Sequence, residues 1–321
     1  GPLRRDRWSV KVAVLKGGRS FEREVSLRSG ANAEAALRRI GHDVVSLDVD
    51  RDLVRALRAA APDAAFVAMH GQGGEDGTVQ ELLEILGVPY TGSGVSACER
   101  SWDKVVAKAV FEAEGIPTPA SYAFSQAAFR ELGAADALGE IESRLGLPLV
   151  VKPARGGSAL GIRLAHEPGE VPAALMGALA YDDRLLMERY VAGRELSVSV
   201  VGDDEPDALP IVEAIPLGRE FYDFESRYTP GATDLRAPAD LPQAVTDAVI
   251  DVALRCYRAL GCRGFARIDT ILDADDRVWV LELNTIPGLT DTSALPRAAD
   301  AAGMSFDDFI GRVLDLAHLG A

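Results

Sequence analysis

At 321 residues and 48% hydrophobic, the chain has room for two or three domains with sizeable cores, which argues against a disordered protein. Its net charge of -15 repels a phosphate backbone, so nucleic acid is set aside as a general partner, although a local cationic pocket can still take a nucleotide. Three irregularly spaced cysteines and four scattered histidines give no disulfide framework and no zinc spacing. With no signal peptide and no apolar run near the ~20 residues of a membrane span, the expectation is a cytoplasmic protein with no membrane partner.

In chain order, residues 12–15 read as a buried strand ending at Lys16-Gly17-Gly18. A helix follows, with apolar positions at Ala33, Ala36, Leu37 and Ile40 and a stop at Gly41. Residues 44–47 give the next strand, which completes a βαβ unit with a glycine turn at the carboxyl end of its first strand. Residues 64–69 predict a third strand, and 78–86 a helix closed by Gly87. Ligands in such sheets gather at the carboxyl ends of the strands, where the glycine-rich stretches 17–18 and 71–77 fall. Residues 103–114 predict a helix that ends at Gly115, where a new unit begins. Residues 149–152 and 158–164 read as a hairpin-like pair of strands around a glycine-rich turn, and 185–191 as another strand. The last third predicts strands at 196–201 and 211–215, a long functional loop at 217–239 and a helix at 241–260. Two strands at 265–272 and 278–283 and a terminal helix over about 307–319 complete it.

The strongest chemical signal is Arg267-Ile268-Asp269 with Glu282-Leu283-Asn284. Alternate residues of a strand share a face, so if the two strands are neighbours, two carboxylates, an amide and a guanidinium converge. Such oxygens suit Mg²⁺, which takes one or two carboxylates plus substrate phosphates, and the arginine can stabilise developing negative charge. A solvent-facing stripe with an ordinary salt bridge is the competing reading, and the break into Thr285-Ile286-Pro287-Gly288 weighs against it. Lys104, Lys152 and Glu188 form a second candidate set, with Lys152 beside Gly156-Gly157-Ser158. Glycines there let backbone N–H groups approach a phosphate, but no Walker A pattern is present, and alone the segment reads better as a surface turn. The third set joins residues 17–26 with 70–77; helix capping and local charge pairs account for some of it.

Taken together, six ordered blocks closely resemble the D-alanine–D-alanine ligases of the ATP-grasp superfamily: GGRSFEREVSLRSG (17–30), HGQGGEDGTVQELLEILGVPYTGSG (70–94), VVKPARGGS (150–158), EFYDFESRY (220–228), GFARIDT (264–270) and ELNTIPGLT (282–290). The resemblance covers about 11–319. It implies an α/β (α+β) fold of three domains: an N-terminal open parallel α/β substrate domain at 11–103, a central ATP-grasp subdomain at 104–191 and a C-terminal catalytic domain at 192–321. The latter two would enclose ATP. It further implies that Lys104, Lys152 and Arg227 meet ATP phosphates, that Glu188, Tyr190, Val191 and Glu195 line the adenine and ribose pocket, and that Asp269, Glu282 and Asn284 hold two Mg²⁺ ions, with Mn²⁺ as a substitute. Arg267 and the Gly288 backbone would cradle the oxyanion. Glu22 would anchor the first amino acid's ammonium in a trio with Ser158 and Tyr228 that closes the lid at 217–239. His70 and Glu75 would shape the substrate pocket, and Ser293 and Ala294 would meet the second amino acid. A homodimer is the implied assembly.

The expected reaction is ATP-dependent ligation of two D-alanine molecules through an acyl phosphate, for the peptidoglycan of the cell wall. Four departures bear on the substrate: Gly156 where the family usually has glutamate, Arg227 for lysine, Ile286 for a small residue, and Asp291-Thr292-Ser293-Ala294 on the second-substrate side. Tyr228 favours an amine over a hydroxyl nucleophile. The alternatives are a related ATP-grasp ligase coupling a different amino acid and a non-catalytic nucleotide-binding homologue. The intact Arg267, Asp269, Glu282 and Asn284 set argues against the latter.

Overall fold

The computed structural model describes residues 9–217 and 231–319. In the first third, β1 (Lys11–Lys16), α1 (Arg23–Arg39), β2 (Asp43–Asp48), α2 (Leu53–Ala60), β3 (Ala64–Val67) and α3 (Thr78–Leu86) build a parallel sheet of order β2-β1-β3. β1 and β3 are buried along almost their whole length because helices cover both faces, so they read as continuous apolar runs rather than alternating ones. α1 packs on one face; α2 and α3 pack on the other, around Leu53, Leu57, Val79 and Leu83.

Helices α4 (Val95–Trp102) and α5 (Lys104–Ala113) follow, with Asp103 capping α5 by accepting from the N–H groups of Val105 and Val106. Next come β4 (Ser121–Ser125), α6 (Gln126–Leu132), α7 (Leu138–Leu145), β5 (Leu149–Pro153), β6 (Arg163–Ala165), α8 (Val171–Leu179) and β7 (Arg184–Arg189). Their antiparallel sheet has the order β4-β7-β5-β6, and α7 and α8 cover one face of it.

The last sheet, of order β11-β10-β8-β12-β13 with β9 on β8, is antiparallel too. It comprises β8 (Arg194–Val201), β9 (Asp207–Ala208), β10 (Val212–Pro216), β11 (Thr233–Arg236), β12 (Phe265–Leu272) and β13 (Val278–Asn284). Helix α9 (Gln243–Leu260) packs on one face through Val249, Ala253 and Tyr257, and joins α4 and α5 there in a single core. Helices α10 (Ala294–Ala301) and α11 (Phe306–Asp315) bridge this sheet to α1, so the first and last thirds share one hydrophobic core. Among the described residues no helix is long and apolar enough to cross a membrane.

Several sequence expectations change. Of the strand expected over 158–164 only Arg163 and Leu164 belong to one: Ser158 and Ala159 take φ of 52° and 59°, which turns the chain, and pairing with β5 begins only at Arg163. The expected loop at 217–239 contains β11, which extends the sheet through β10. The strand expected over 185–191 ends at Arg189, so Tyr190 and Val191 lie beyond it. The terminal helix stops at Asp315, before the expected 319.

Candidate active site

The register of β12 against β13 places Arg267 opposite Asn284 and Asp269 opposite Glu282, with an irregularity just after Asp269. Ala266 and Ile268 turn into the core under α9, which leaves Arg267 and Asp269 on the other face of the strand. Arg267 forks onto Asp269, with Nε 2.7 Å from Oδ1 and Nη2 2.8 Å from Oδ2. Ser197 of β8 donates to Asp269 Oδ1 at 2.9 Å, and Asn284 Nδ2 donates to Oδ2 at 3.3 Å. Arg267, Asp269 and Asn284 are thus one hydrogen-bonded group with Ser197, and the register sets Glu282 across from Asp269.

Lys104, at the start of α5, reaches over from the other side. Its Nζ donates to Gly156 O at 2.5 Å and lies 3.4 Å from Glu282 Oε2. A narrow crevice between Lys104, Lys152, Gly156, Gly157 and Glu282 therefore joins the glycine-rich turn to the acidic pair. Glu188 lies between the ammonium of Lys152, which lines the crevice, and a second one: Lys152 Nζ at 2.6 Å and Lys108 Nζ at 2.5 Å. All three are buried. Burial alone would push the Glu188 carboxyl up, but the two ammoniums win and hold it below the usual range. Burial pushes Lys108 down, opposed by Glu188.

Lys108 escaped the sequence reading. The available signal was its place four residues after Lys104, one helical turn along the same face of α5. Its Nζ also donates to Thr118 Oγ1 at 2.6 Å, which in turn donates to Val280 O at 2.9 Å. The chain of bonds runs from the central sheet at Glu188 to the C-terminal sheet at Val280. Glu188→Gln leaves two buried ammoniums without their carboxylate; a loss of about 3–5 kcal/mol is expected. It is checked as a lower urea midpoint with an unchanged slope.

Glu22, just before α1, is buried, and Ser158 Oγ donates to its Oε1 across 136 residues of sequence. Burial first, then the charge of Glu75, pushes the Glu22 carboxyl up to about 7, against the pull of the Ser158 hydrogen bond. The contact needs Gly157: a Cβ there would stand 2.7 Å from Glu22 Oε2. A cavity of about 540 Å³, lined by Phe21, Glu22, Trp102, Gly156, Leu160 and Tyr181, opens beside the carboxylate. His70 is buried with Glu75 Oε1 3.9 Å from its Nδ1.

The loop after β13 carries Gly288 against Ser293, and a Cβ on Gly288 would meet Ser293 Oγ at 2.6 Å. Ser293 Oγ accepts from Thr290 N–H at 3.2 Å and pairs with Thr290 Oγ1 at 2.9 Å rather than capping α10, which Ala294 opens. Glu195 shares the β8 face of Ser197, two residues away, while Tyr190 and Val191 are half-buried after β7. Tyr228 and Arg227 lie outside the described residues.

Comparison with known proteins places this arrangement in a family. Residues 110–315 match the family model described as D-ala D-ala ligase C-terminus, and 53–93 match its N-terminus counterpart. A D-alanine–D-alanine ligase of Desulforudis audaxviator is 46% identical over 311 residues, covering 96% of this chain and 98% of the relative. One from Moorella thermoacetica is 44% identical, covering 96% and 99%. The crystal structure of D-alanine–D-alanine ligase from Bacillus anthracis superposes with a TM-score of 0.83 at 32% identity, over 96% of this chain and 97% of that one. The VanG D-Ala:D-Ser ligase of Enterococcus faecalis gives 0.82 at 27%, over 96% and 99%. With both family models matched and relatives this similar over nearly their full length, the chain belongs to the D-alanine–D-alanine ligase family.

Proposed function

We propose that this chain joins two D-alanine molecules into D-alanyl-D-alanine at the expense of ATP, for peptidoglycan precursor synthesis. The observation that carries the reading is the register that sets Arg267, Asp269, Glu282 and Asn284 together beside the lysine-walled crevice. Lys104, Lys152 and, from outside the described residues, Arg227 would hold ATP phosphates, with Glu188, Tyr190, Val191 and Glu195 toward the nucleoside. A carboxylate is a poor electrophile. Transfer of the γ-phosphoryl group to a carboxylate oxygen of the first D-alanine makes that oxygen a leaving group. The neutral amine of the second then attacks the carbonyl carbon, and the tetrahedral oxyanion collapses with release of phosphate.

Each step asks something of this chain. Glu22 would accept the first ammonium, with Ser158 and Tyr228 holding the carboxylate and closing the site. His70 and Glu75 would shape that pocket. Arg267 and the Gly288 N–H would meet the oxyanion. Ser293 and the N–H of Ala294 would receive the second carboxylate. The acyl phosphate is sensitive to water, so a cover over 217–239 serves the same chemistry.

Among the described residues no three or more of His, Cys, Asp and Glu are grouped to hold a metal. The donor set is instead two carboxylates and an amide, all hard oxygen donors, with Arg267 and Lys104 now beside the acids. That set fits Mg²⁺ bound jointly with phosphates, held by Asp269, Glu282 and Asn284. Two such ions, or Mn²⁺, would neutralise the phosphate charge. The division at 11–103, 104–191 and 192–321, a homodimeric assembly and a cytoplasmic setting belong to the same reading.

The test is a mass-spectrometric product assay with ATP, magnesium and an equimolar pool of D-alanine, D-serine, D-lactate and L-amino acids. D-alanyl-D-alanine is the expected main product. A mixed dipeptide or an ester as the main product would reassign the second substrate, and the departures at 291–294 would be the place to look.

A further inference from the structure

Helix α1 crosses behind the loop that follows β13, and its polar side chains clamp that loop. Ser29 Oγ accepts from Leu289 N–H at 3.1 Å, and Asn32 Nδ2 donates to Leu289 O at 2.9 Å. Ser29 Oγ also lies 2.8 Å from His70 Nε2, while His70 Nδ1 lies 2.9 Å from Ile286 O. Ser29 and His70 are both buried, at 0% and 3% exposure, so bulk solvent does not compete for either.

The protons of this chain follow by elimination. A carbonyl oxygen only accepts, so His70 Nδ1 carries a hydrogen and donates to Ile286 O. A backbone N–H only donates, so Leu289 occupies a lone pair of Ser29 Oγ. Among the described residues Ser29 Oγ has these two partners, so its own hydrogen points at His70 Nε2, which must offer a lone pair. The imidazole is then neutral, with its proton on Nδ1. An added proton on Nε2 would make Ser29 Oγ accept twice and leave its own hydrogen without either of these partners in a buried site. Among the described residues the charges of Glu75 and Glu22 both bear on the ring, and Glu75 Oε1, at 3.9 Å from Nδ1, is beyond hydrogen-bond reach.

We propose that Ser29 is a positioning residue. By fixing the Nδ1–H tautomer of His70 and by receiving Leu289 N–H, it holds the turn from Ile286 to Leu289 from both ends. Gly288 lies inside that turn, so its N–H is set relative to Arg267 by a hydroxyl on a helix of the first domain. The catalytic consequence rests on the proposed oxyanion role of Gly288; the tautomer does not.

The test has two arms. Long-range ¹H–¹⁵N spectra of the histidine-labelled wild type read the His70 tautomer without any substrate, and the Nδ1–H form is expected. Ser29→Ala is expected to lower kcat by roughly 10–100-fold, the range for a residue acting through another. KM for ATP should stay within twofold, and Ser29→Thr should recover much of the loss. Asn32→Ala, which releases only Leu289 O, should lower kcat several-fold with the tautomer kept. A wild-type His70 protonated on Nε2 overturns the proposal, as does a folded Ser29→Ala with wild-type kcat. Should Ser29→Ala not fold, Asn32→Ala with wild-type kcat overturns it. If the wild type forms no dipeptide from D-alanine, the functional reading fails while the tautomer arm still decides the hydrogen-bond assignment.

Discussion

Asp269→Asn lowers kcat by at least two to three orders of magnitude, with a smaller change in KM for D-alanine. The substitution keeps the shape and removes one charge from a group in which Arg267, Ser197 and Asn284 all aim at the same carboxylate. Removing a single preorganised electrostatic contact at a reacting centre costs about 10²–10³ in rate. Here the loss is double: the oxygen proposed to face the metal is weakened, and Arg267 is released from the fork that fixes its plane. Ser197→Ala provides the calibration. It deletes only the 2.9 Å donor and leaves the charge, so roughly 10–100-fold is expected. The two variants are compared by steady-state phosphate release at saturating ATP, across a magnesium series. Equal effects would mean that Asp269 serves only to hold the strands, and a normal kcat in Asp269→Asn would remove the pair from the chemistry. Stability gives a second reading: Arg267, only 12% exposed, loses its anionic partner, so the urea midpoint should fall more in Asp269→Asn than in Ser197→Ala.

This group was legible because two facts suffice to build it: side chains alternate along a strand, and the short acidic turn at 273–276 returns the second strand beside the first. The irregularity after Asp269 was not legible, since nothing in Asp269-Thr270-Ile271 marks it. Ser158 was misread for a related reason. Its left-handed φ is rare outside glycine, asparagine and aspartate, so residue type gave no warning of a turn. β11 and α8 were missed on weaker signals: a four-residue edge strand with two charges, and a helix whose face is blurred by Pro172 and Gly177. Lys108 and Ser29 belong to a different class. Each is defined by partners far off in sequence, Glu188 at a separation of 80 residues and Leu289 at 260. Periodicity speaks only to neighbours along one element; which helix faces which loop is decided by packing. Glu22 and Ser158 were joined in advance only through the family resemblance, since they too are 136 residues apart.

Glu22→Gln should stabilise the unliganded protein at pH 8 while removing most of its activity. The Glu22 carboxyl is pushed from 4.5 up to about 7, chiefly by burial and then by the charge of Glu75. Between about 4.5 and about 7 the native state therefore retains a proton that the unfolded chain has released. Stability falls as pH rises through that window and stays lower above it. At about 1.4 kcal/mol per pH unit, the difference between the ends of the window is roughly 3 kcal/mol. Glutamine mimics the protonated carboxyl, including the oxygen that accepts from Ser158, and does not ionise. The advantage of Glu22→Gln over wild type should then be near zero at pH 4.5 and roughly 3 kcal/mol above pH 7, read from urea midpoints at the two values. A gain of equal size at both would point to packing, and no gain at either would mean that the carboxylate is not destabilised. The proposed ammonium-anchor role of Glu22 uses the same charge. An ammonium entering the 540 Å³ cavity beside Glu22 supplies the missing counter-charge, draws the carboxyl back down and expels its proton. Affinity for the first amino acid should accordingly weaken as pH falls below about 7, and binding enthalpies near neutrality should depend on the ionisation heat of the buffer. Both effects should vanish in Glu22→Gln, and a wild-type affinity flat from pH 6 to 8 would contradict the assignment of Glu22 as the ammonium anchor.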